Sequence, residues 1–292
     1  MRRAGEGPPA WLQALPFAAV FVFFFVAPLL LVGAVSLWPT SDYELKPGFS
    51  FDNYATIFAG CANLAEPCVT LKTYWSTLRF SLATWAVTLV LGFSLAYFLA
   101  FHVRSTGAQT LLFIVCTIPF WTSNVIRMIS WLPLLGRNGL VNQGLLGLGL
   151  TDKPVEWLLF SDFSVVLTFV HLYTMFMLVP IFNSMIRIDK SLIEAAYDAG
   201  ATGFQTLVNV IIPLAKPGIV IGSIFVITIV MGDFITIGVM GGQQIAAAGK
   251  IIETRVNALQ FPAAAANAVI LLVITFLIIT MMSRIVDIKK EL

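Results

Sequence analysis

Six long apolar stretches, separated by polar or broken segments, dominate the pattern of this chain. They run near residues 15–37, 80–101, 110–126, 163–186, 217–240 and 262–283. Each is long enough, or nearly so, for the roughly 20 helical residues that cross about 30 Å of hydrocarbon. The fifth is interrupted only by Asp233. None shows the period-2 alternation of a membrane strand, and in lipid only helices or closed barrels satisfy their own backbone. The pattern predicts an all-α integral membrane protein with six transmembrane helices in a single domain, residues 1–292. The first stretch follows Arg2 and Arg3, but it is too long for a signal-peptide core and lacks a clear cleavage site. It reads as a retained anchor.

Composition agrees with a lipid environment. Of 292 residues, 59% are hydrophobic and 11% charged, less than half the roughly one quarter usual in soluble domains. A net charge of +2 gives no sign of nucleic-acid binding. Two His and three Cys leave little material for a metal site or a His-dependent triad. Cys61 and Cys68 share a polar loop, where a disulfide and two free thiols are both open readings. Basic residues at Arg2, Arg3, Arg104, Arg284, Lys289 and Lys290 fall on one side. The acids Asp42, Glu44, Asp52 and Glu66 fall in the loop on the other. The positive-inside rule then places both termini in the cytoplasm, and with them the polar segment 187–216 between the fourth and fifth spans.

That segment contains "SLIEAAYDAGATGFQTLVNVIIPLAKPG", Ser191 to Gly218. Ser191 followed by Glu194 reads as a capping box, and so does Thr202 followed by Gln205. Gly200 stands where a helix would end in a left-handed residue, and Pro213 and Pro217 are placed to end the second helix. The expectation is a helix, an elbow and a second helix. The first arm is surfaced by Ala195, Ala196 and Ala199, where small residues permit close approach by a partner. A connector packed on its own bundle is the alternative.

The same stretch resembles the EAA loop of permease subunits of ATP-binding-cassette (ABC) importers, the type I, MetI-like family. Glu194, Ala195, Ala196, Gly200 and Pro213 match that pattern at its spacing, with Val210 and Ile212 as conservative departures. The resemblance implies that Glu194, Ala195, Ala196, Asp198 and Gly200 dock into a cytoplasmic ATPase and pass its motion to the membrane helices. It further implies a second permease subunit (a heterodimeric core, with a homodimer compatible with the sequence), two ATPase copies and a periplasmic or extracellular substrate-binding protein. ATP and Mg would be used by the ATPase, with no cofactor bound by this chain. The chain's own Gly249-Lys250 fails the phosphate-loop spacing and is followed by Ile251, so an enzyme is not expected. The implied location is the bacterial inner membrane.

Ionisable groups at membrane depth are expensive and therefore candidates for function. Asp233, in "GDFITIGVMGG", with Thr236 beside it, is the foremost pathway candidate. Trp121 and Asn124, after Pro119, are candidate cavity-lining residues, with Arg127 read as reaching towards the outer interface. His171 and Tyr173 read as interhelical hydrogen-bonding groups, and the 242–260 loop as outward-facing. "RNGLVNQGLLGLGL", "LTFVHLYTMFMLVPIFNSM" and "GDFITIGVMGG" together resemble the first permease subunit of spermidine/putrescine importers, over roughly residues 15–285. A polyamine or related organic amine is the expected cargo. γ-Aminobutyrate, aminophosphonate, ferric iron and sulfate importers share the fold and remain alternatives. An ion-coupled secondary transporter would leave the cytoplasmic elbow unexplained, and a membrane enzyme lacks a nucleophile, base and metal set.

Overall fold

A computed structural model describes residues 10–40, 46–61 and 68–284. Among them every regular element is helical. In chain order they are α1 (Trp11–Val35), α2 (Asp52–Ile57), α3 (Val69–His102), α4 (Thr106–Trp121), α5 (Asn124–Ile129), α6 (Leu132–Leu135) and α7 (Leu140–Gly147). There follow α8 (Asp162–Met185), α9 (Lys190–Asp198), α10 (Gly203–Gly232), α11 (Ile235–Met240), α12 (Ala248–Asn257) and α13 (Phe261–Ser283). The helices α1, α3, α8, α10 and α13 have the length and apolar character to cross a membrane. A sixth crossing is bent, because α4 turns by 88° into the helices that begin at Asn124. The orientation residues Arg2, Arg3, Asp42, Glu44, Glu66, Lys289 and Lys290 lie outside the described residues.

Two expected spans are redrawn by the structure. The third was expected over 110–126, but the chain tightens at Ile118–Trp121 and leaves the helix at Thr122, which is extended. Pro119 takes away one backbone donor there, and the following Thr, Ser and Asn offer competing hydrogen bonds. The fifth was expected over 217–240. Instead α10 runs without interruption from Gly203 and stops at Gly232. Pro213 and Pro217 do not end a helix. A wide π turn at Leu207–Ile211 precedes Pro213 and gives the slack that lets the helix carry it, while Pro217 is accommodated one turn later inside the helix.

The chain divides into two compact units, one formed by Met1–Cys68 and Ile251–Leu272, the other by Val69–Lys250 and Val273–Leu292. In the first, α2 is tied to the end of α1. Asn53 Nδ2 donates to the carbonyls of Ser36 (3.0 Å) and Trp38 (2.8 Å), and the Ser36 and Tyr54 hydroxyls are 2.8 Å apart. Cys61 and Cys68 form a disulfide, which settles the alternative left open by spacing. The apolar sides of α1 stay exposed, with Phe17 at 77% and Phe23 at 69%, as suits a lipid-facing or partner-facing helix.

The second unit is built on α3, α8 and α10, which pack against one another. Met177 of α8 is fully buried and lies where α10 has Gly222. A Cβ there would sit 2.9 Å from Met177 Sδ and 3.1 Å from its Cα. Only a glycine lets the two backbones come this close, the arrangement by which membrane helices gain contact without a hydrophobic drive. Trp85 Nε1 of α3 donates to Ser223 Oγ of α10 at 2.7 Å. The buried side of α3 carries Thr73, Thr77, Ser81, Thr84 and Thr88. Thr77, Ser81 and Thr88 each donate to the carbonyl four residues back, the local way for a hydroxyl to enter an apolar core.

Candidate functional site

The break after α10 builds the first candidate site. Asp233 leaves the helix with φ −79° and ψ 104°, and α11 starts two residues later. Its carboxylate then serves the new helix. Thr236 N–H donates to Asp233 Oδ1 at 2.9 Å and Thr236 Oγ1 to Oδ2 at 2.7 Å, meeting an amide that a helix start leaves without a partner. From α8, the Tyr173 hydroxyl donates to Oδ2. Asp233 is thus at a junction between two helices and not within one, as the apolar run had implied. The readable signal is Gly-Asp with Thr three residues on, the spacing of an N-terminal cap.

Around this carboxylate lies a cavity of about 280 Å³. Asn124, Tyr173, Asp233, Phe234 and Thr236 line it together with Met128 and other apolar groups. Three of the four pathway residues expected from sequence, Asn124, Asp233 and Thr236, therefore meet in one place although they come from α5 and the α10–α11 junction. Trp121 does not line this cavity and is 82% exposed. It belongs to the tightened turn ahead of the bend, which directs it away from residues beyond Thr122.

Two neighbours complete the polar group. Arg127, expected to reach outward, is instead buried, at 6% exposure. Its guanidinium donates to Asn124 Oδ1, while Nε and Nη1 make no hydrogen bond among the described residues. His171 Nδ1 accepts from Trp131 Nε1 at 3.0 Å. Tyr173 bonds from α8 to the α10–α11 junction, close to the buried interhelical bond expected of it, whereas the His171 bond is an exposed one to Trp131, which lies between α5 and α6. That Tyr173 bonds to Asp233 was not readable, because the two lie 60 residues apart. Among the described residues, no group of three or more His, Cys, Asp or Glu stands close enough to hold a metal ion.

The second candidate site is the helix–elbow–helix. Its first arm, α9, begins earlier than Ser191. Asp189 is the N-cap and accepts from Ser191 N–H at 3.0 Å. The Ser191 backbone and hydroxyl hydrogen bonds hold the Asp189 carboxyl below its ordinary range. The Ser191–Glu194 capping box is therefore not formed, and Glu194 is left exposed with no capping duty. A carboxylate two residues upstream outcompetes a serine for the first free amides. The arm ends in a Schellman motif: Ala201 N–H donates to Ala196 O at 3.0 Å and Gly200 N–H to Tyr197 O at 2.9 Å. Gly200 takes φ +83°, which a side chain would strain. Thr202 and Gln205 form the second capping box as expected, Gln205 N–H donating to Thr202 Oγ1 at 3.3 Å and Thr202 N–H to Gln205 Oε1 at 2.8 Å.

One side of this element, through Ile193 and Leu207, packs towards the core. The other presents Glu194, Ala195, Asp198 and Gly200 to the surroundings, next to exposed Leu192, Tyr197 and Phe204. A cleft of about 540 Å³ adjoins its start, lined by Asn183, Arg187, Asp189, Leu192 and Pro217 among others.

Comparison with known proteins settles the class. The description "binding-protein-dependent transport system inner membrane component" matches residues 89–288. The chain belongs to this family. It is 31% identical over 275 residues to the spermidine/putrescine transport system permease protein PotB of Escherichia coli (strain K12), covering 93% of this chain and 96% of that protein. To the PotB of Haemophilus influenzae it is 30% identical over 245 residues, 83% of this chain and 82% of the relative. In fold it matches a bacterial ABC transporter involved in the import of the acidic polysaccharide alginate. That match has a TM-score of 0.71 and 18% identity over 94% of this chain and 93% of the other.

This permease is thus a membrane-spanning subunit of an ABC importer, located in the inner membrane, and not itself an enzyme. The alginate importer shares its fold at low identity, so the fold carries no information on cargo. What this permease offers chemically is a negative charge with a tyrosine and a phenylalanine in the same cavity wall. Asp233 already accepts three hydrogen bonds, and a carboxylate has about four acceptor positions.

Proposed function

We propose that this permease carries half of the pathway for a polyamine, with Asp233 as the carboxylate that meets a substrate ammonium group. The observation that carries the proposal is the placement of the Asp233 carboxylate at a helix break, on the wall of a largely apolar cavity that also holds Asn124, Tyr173 and Thr236. The PotB relatives, named as spermidine/putrescine permeases, support the same substrate class. Asn124 and the Thr236 hydroxyl add polar contacts, and the exposed Phe234 ring could meet a cation. Trp121, lying outside the cavity, would act only at its approach. A polyamine bears several charges and Asp233 supplies one, so the remaining ammonium groups would be met by the facing subunit.

The partners follow from the exposed face of α9. Glu194, Ala195, Ala196, Asp198 and Gly200 would seat in a groove of a cytoplasmic ABC ATPase, two copies of which hydrolyse ATP with Mg. Small residues there let the partner approach closely, and the exposed apolar groups beside them gain most from being covered. A second permease subunit, different from this chain, and an external substrate-binding protein complete the assembly, with both termini of this chain in the cytoplasm. No cofactor is assigned to this chain.

The test is ATPase stimulation of the complex in nanodiscs with its binding protein, across putrescine, spermidine, γ-aminobutyrate, an aminophosphonate and sulfate. Stimulation by the polyamines is the expected result. Stimulation by sulfate alone, with none by amines, would sink both the substrate and the role of Asp233.

A further inference from the structure

The segment that follows α11 turns back onto the break that carries Asp233. Its tip, Gln243 and Gln244, is exposed, while its root, Ala247, Ala248 and Gly249, is buried. The root makes two contacts of different kinds. Ala248 N–H donates to Thr77 Oγ1 of α3 at 2.9 Å, across 171 residues, and Thr77 is in turn held by its bond to Thr73 O at 3.0 Å. Next to it, Gly249 lies against the end of α10. A Cβ on Gly249 would stand 3.0 Å from the Gly232 carbonyl oxygen and 3.3 Å from Phe234 Cβ. Gly232 and Phe234 flank Asp233. The loop root therefore packs against both neighbours of the residue whose carboxylate faces the cavity, the carbonyl of Gly232 and the Cβ of Phe234. Further along, Gly238 of α11 leaves space filled by the Lys250 side chain, whose Nζ would be 3.3 Å from a Cβ there.

A helix break has few restraints of its own. Asp233 N–H donates to Val230 O at a long 3.3 Å, and Gly232 adds no side chain to pack. Without an outside support, the φ and ψ angles at 232–234 would be free to shift, and the carboxylate with them. The supports present are Tyr173 from α8, which holds the carboxylate itself, and the loop root, which holds the backbone beneath it.

We propose that the loop root, Ala247–Lys250, is a positioning device for Asp233, with Gly249 as the contact and the Ala248–Thr77 hydrogen bond as the anchor that holds it in place. This deepens the reading of Asp233 as the substrate carboxylate and rests on it. A methyl group at Gly249 pushes the Gly232 carbonyl away, because a contact of 3.0 Å to a backbone oxygen has no flexible end to yield. Removing the Thr77 hydroxyl releases the loop root without adding bulk.

The experiment compares Gly249→Ala, Thr77→Val and the exposed-tip control Gln244→Ala in the complete transporter in nanodiscs. Two readouts are taken: putrescine concentration dependence of uptake, and hydrogen exchange of the peptide holding the Thr236 amide. Both positioning variants are expected to raise the half-saturating putrescine concentration about tenfold while the maximal rate stays within about twofold. Thr236 exchange is expected to speed up and the amides of α8 to keep their protection. Gln244→Ala changes neither readout. In an Asp233→Asn background, Gly249→Ala and Thr77→Val are expected to raise the half-saturation no further. Unchanged Thr236 exchange in both variants, or an effect on half-saturation that adds fully to that of Asp233→Asn, overturns the proposal. If Asp233→Asn by itself leaves putrescine uptake unaltered, the substrate reading falls, and the exchange at Thr236 still decides whether the loop holds the break.

Discussion

The elbow between α9 and α10 and the break between α10 and α11 are both interruptions where a side-chain oxygen caps a helix start. They are stabilised at very different ranges along the chain. At the elbow each bond joins residues no more than five apart: Asp189 with Ser191, Ala201 with Ala196, Thr202 with Gln205. At the break, Asp233 is held by Thr236 locally, but also by Tyr173 from 60 residues earlier, and the backbone beside it rests on Gly249. The elbow's shape is thus written locally, as suits the docking role proposed for it. The break is suspended between α8, α10 and the loop root, so its geometry depends on distant parts of the chain.

Four substitutions or conditions probe this contrast. The largest effect is expected for Glu194→Lys, which reverses an exposed charge at the docking face. Copurification of the ATPase should be lost, a change of more than about 30-fold in affinity if this is an interface hot spot. The permease itself should still insert, since Glu194 caps nothing. Retained ATPase binding would remove the docking face from this side of α9. Asp233→Asn comes next, and should raise the half-saturating polyamine concentration by roughly 10- to 100-fold, the range for losing a charged hydrogen-bond partner. Because the elbow is independent, copurification with the ATPase should not change, and any loss there would show that the two regions are not separable.

Tyr173→Phe removes one of three donors to Asp233 and leaves the ring in place. An effect of about fivefold on half-saturation is expected, in line with about 1 kcal/mol for one hydrogen bond. A larger effect than Asp233→Asn would make Tyr173, and not the carboxylate, the main substrate contact. The smallest effect concerns pH at Asp189. Its carboxyl is held below the ordinary range by Ser191, so its contribution to α9 is present above the ordinary carboxylate value and is lost as pH falls through the lowered one. Amide protection factors at the start of α9 should therefore be flat from pH 8 to about 5 and decline below the usual carboxylate range. Asp189→Asn, still a capping residue, should abolish that decline. A decline that persists in the Asn variant would place the titration elsewhere.

The legibility of these regions follows the same distance rule. The membrane character, the apolar spans and the second elbow cap could be read because lipid demands length and caps demand a fixed spacing. The start of α9 was misplaced by two residues, since Ser191 and Asp189 compete for the same amides and spacing alone does not rank them. The fifth span was misplaced because a π turn can absorb Pro213 and because Asp233 inside an apolar run looks like a polar residue within a helix. Arg127 read as a snorkelling residue because nothing near it in sequence shows that the chain bends by 88° before Asn124.

What the sequence determined by itself is the lipid environment, the helical class and the elbow proposed as the ATPase docking element, each carried by patterns within a few turns of chain. What only the tertiary structure decided is which polar groups share a cavity. Asn124, Tyr173 and the pair Asp233 and Thr236 come from α5, α8 and the α10–α11 junction. Their meeting depends on the glycine contact that brings α8 and α10 together and on a loop root that returns to Gly232. Such contacts have no period and no fixed spacing. They arise from the packing of distant backbones.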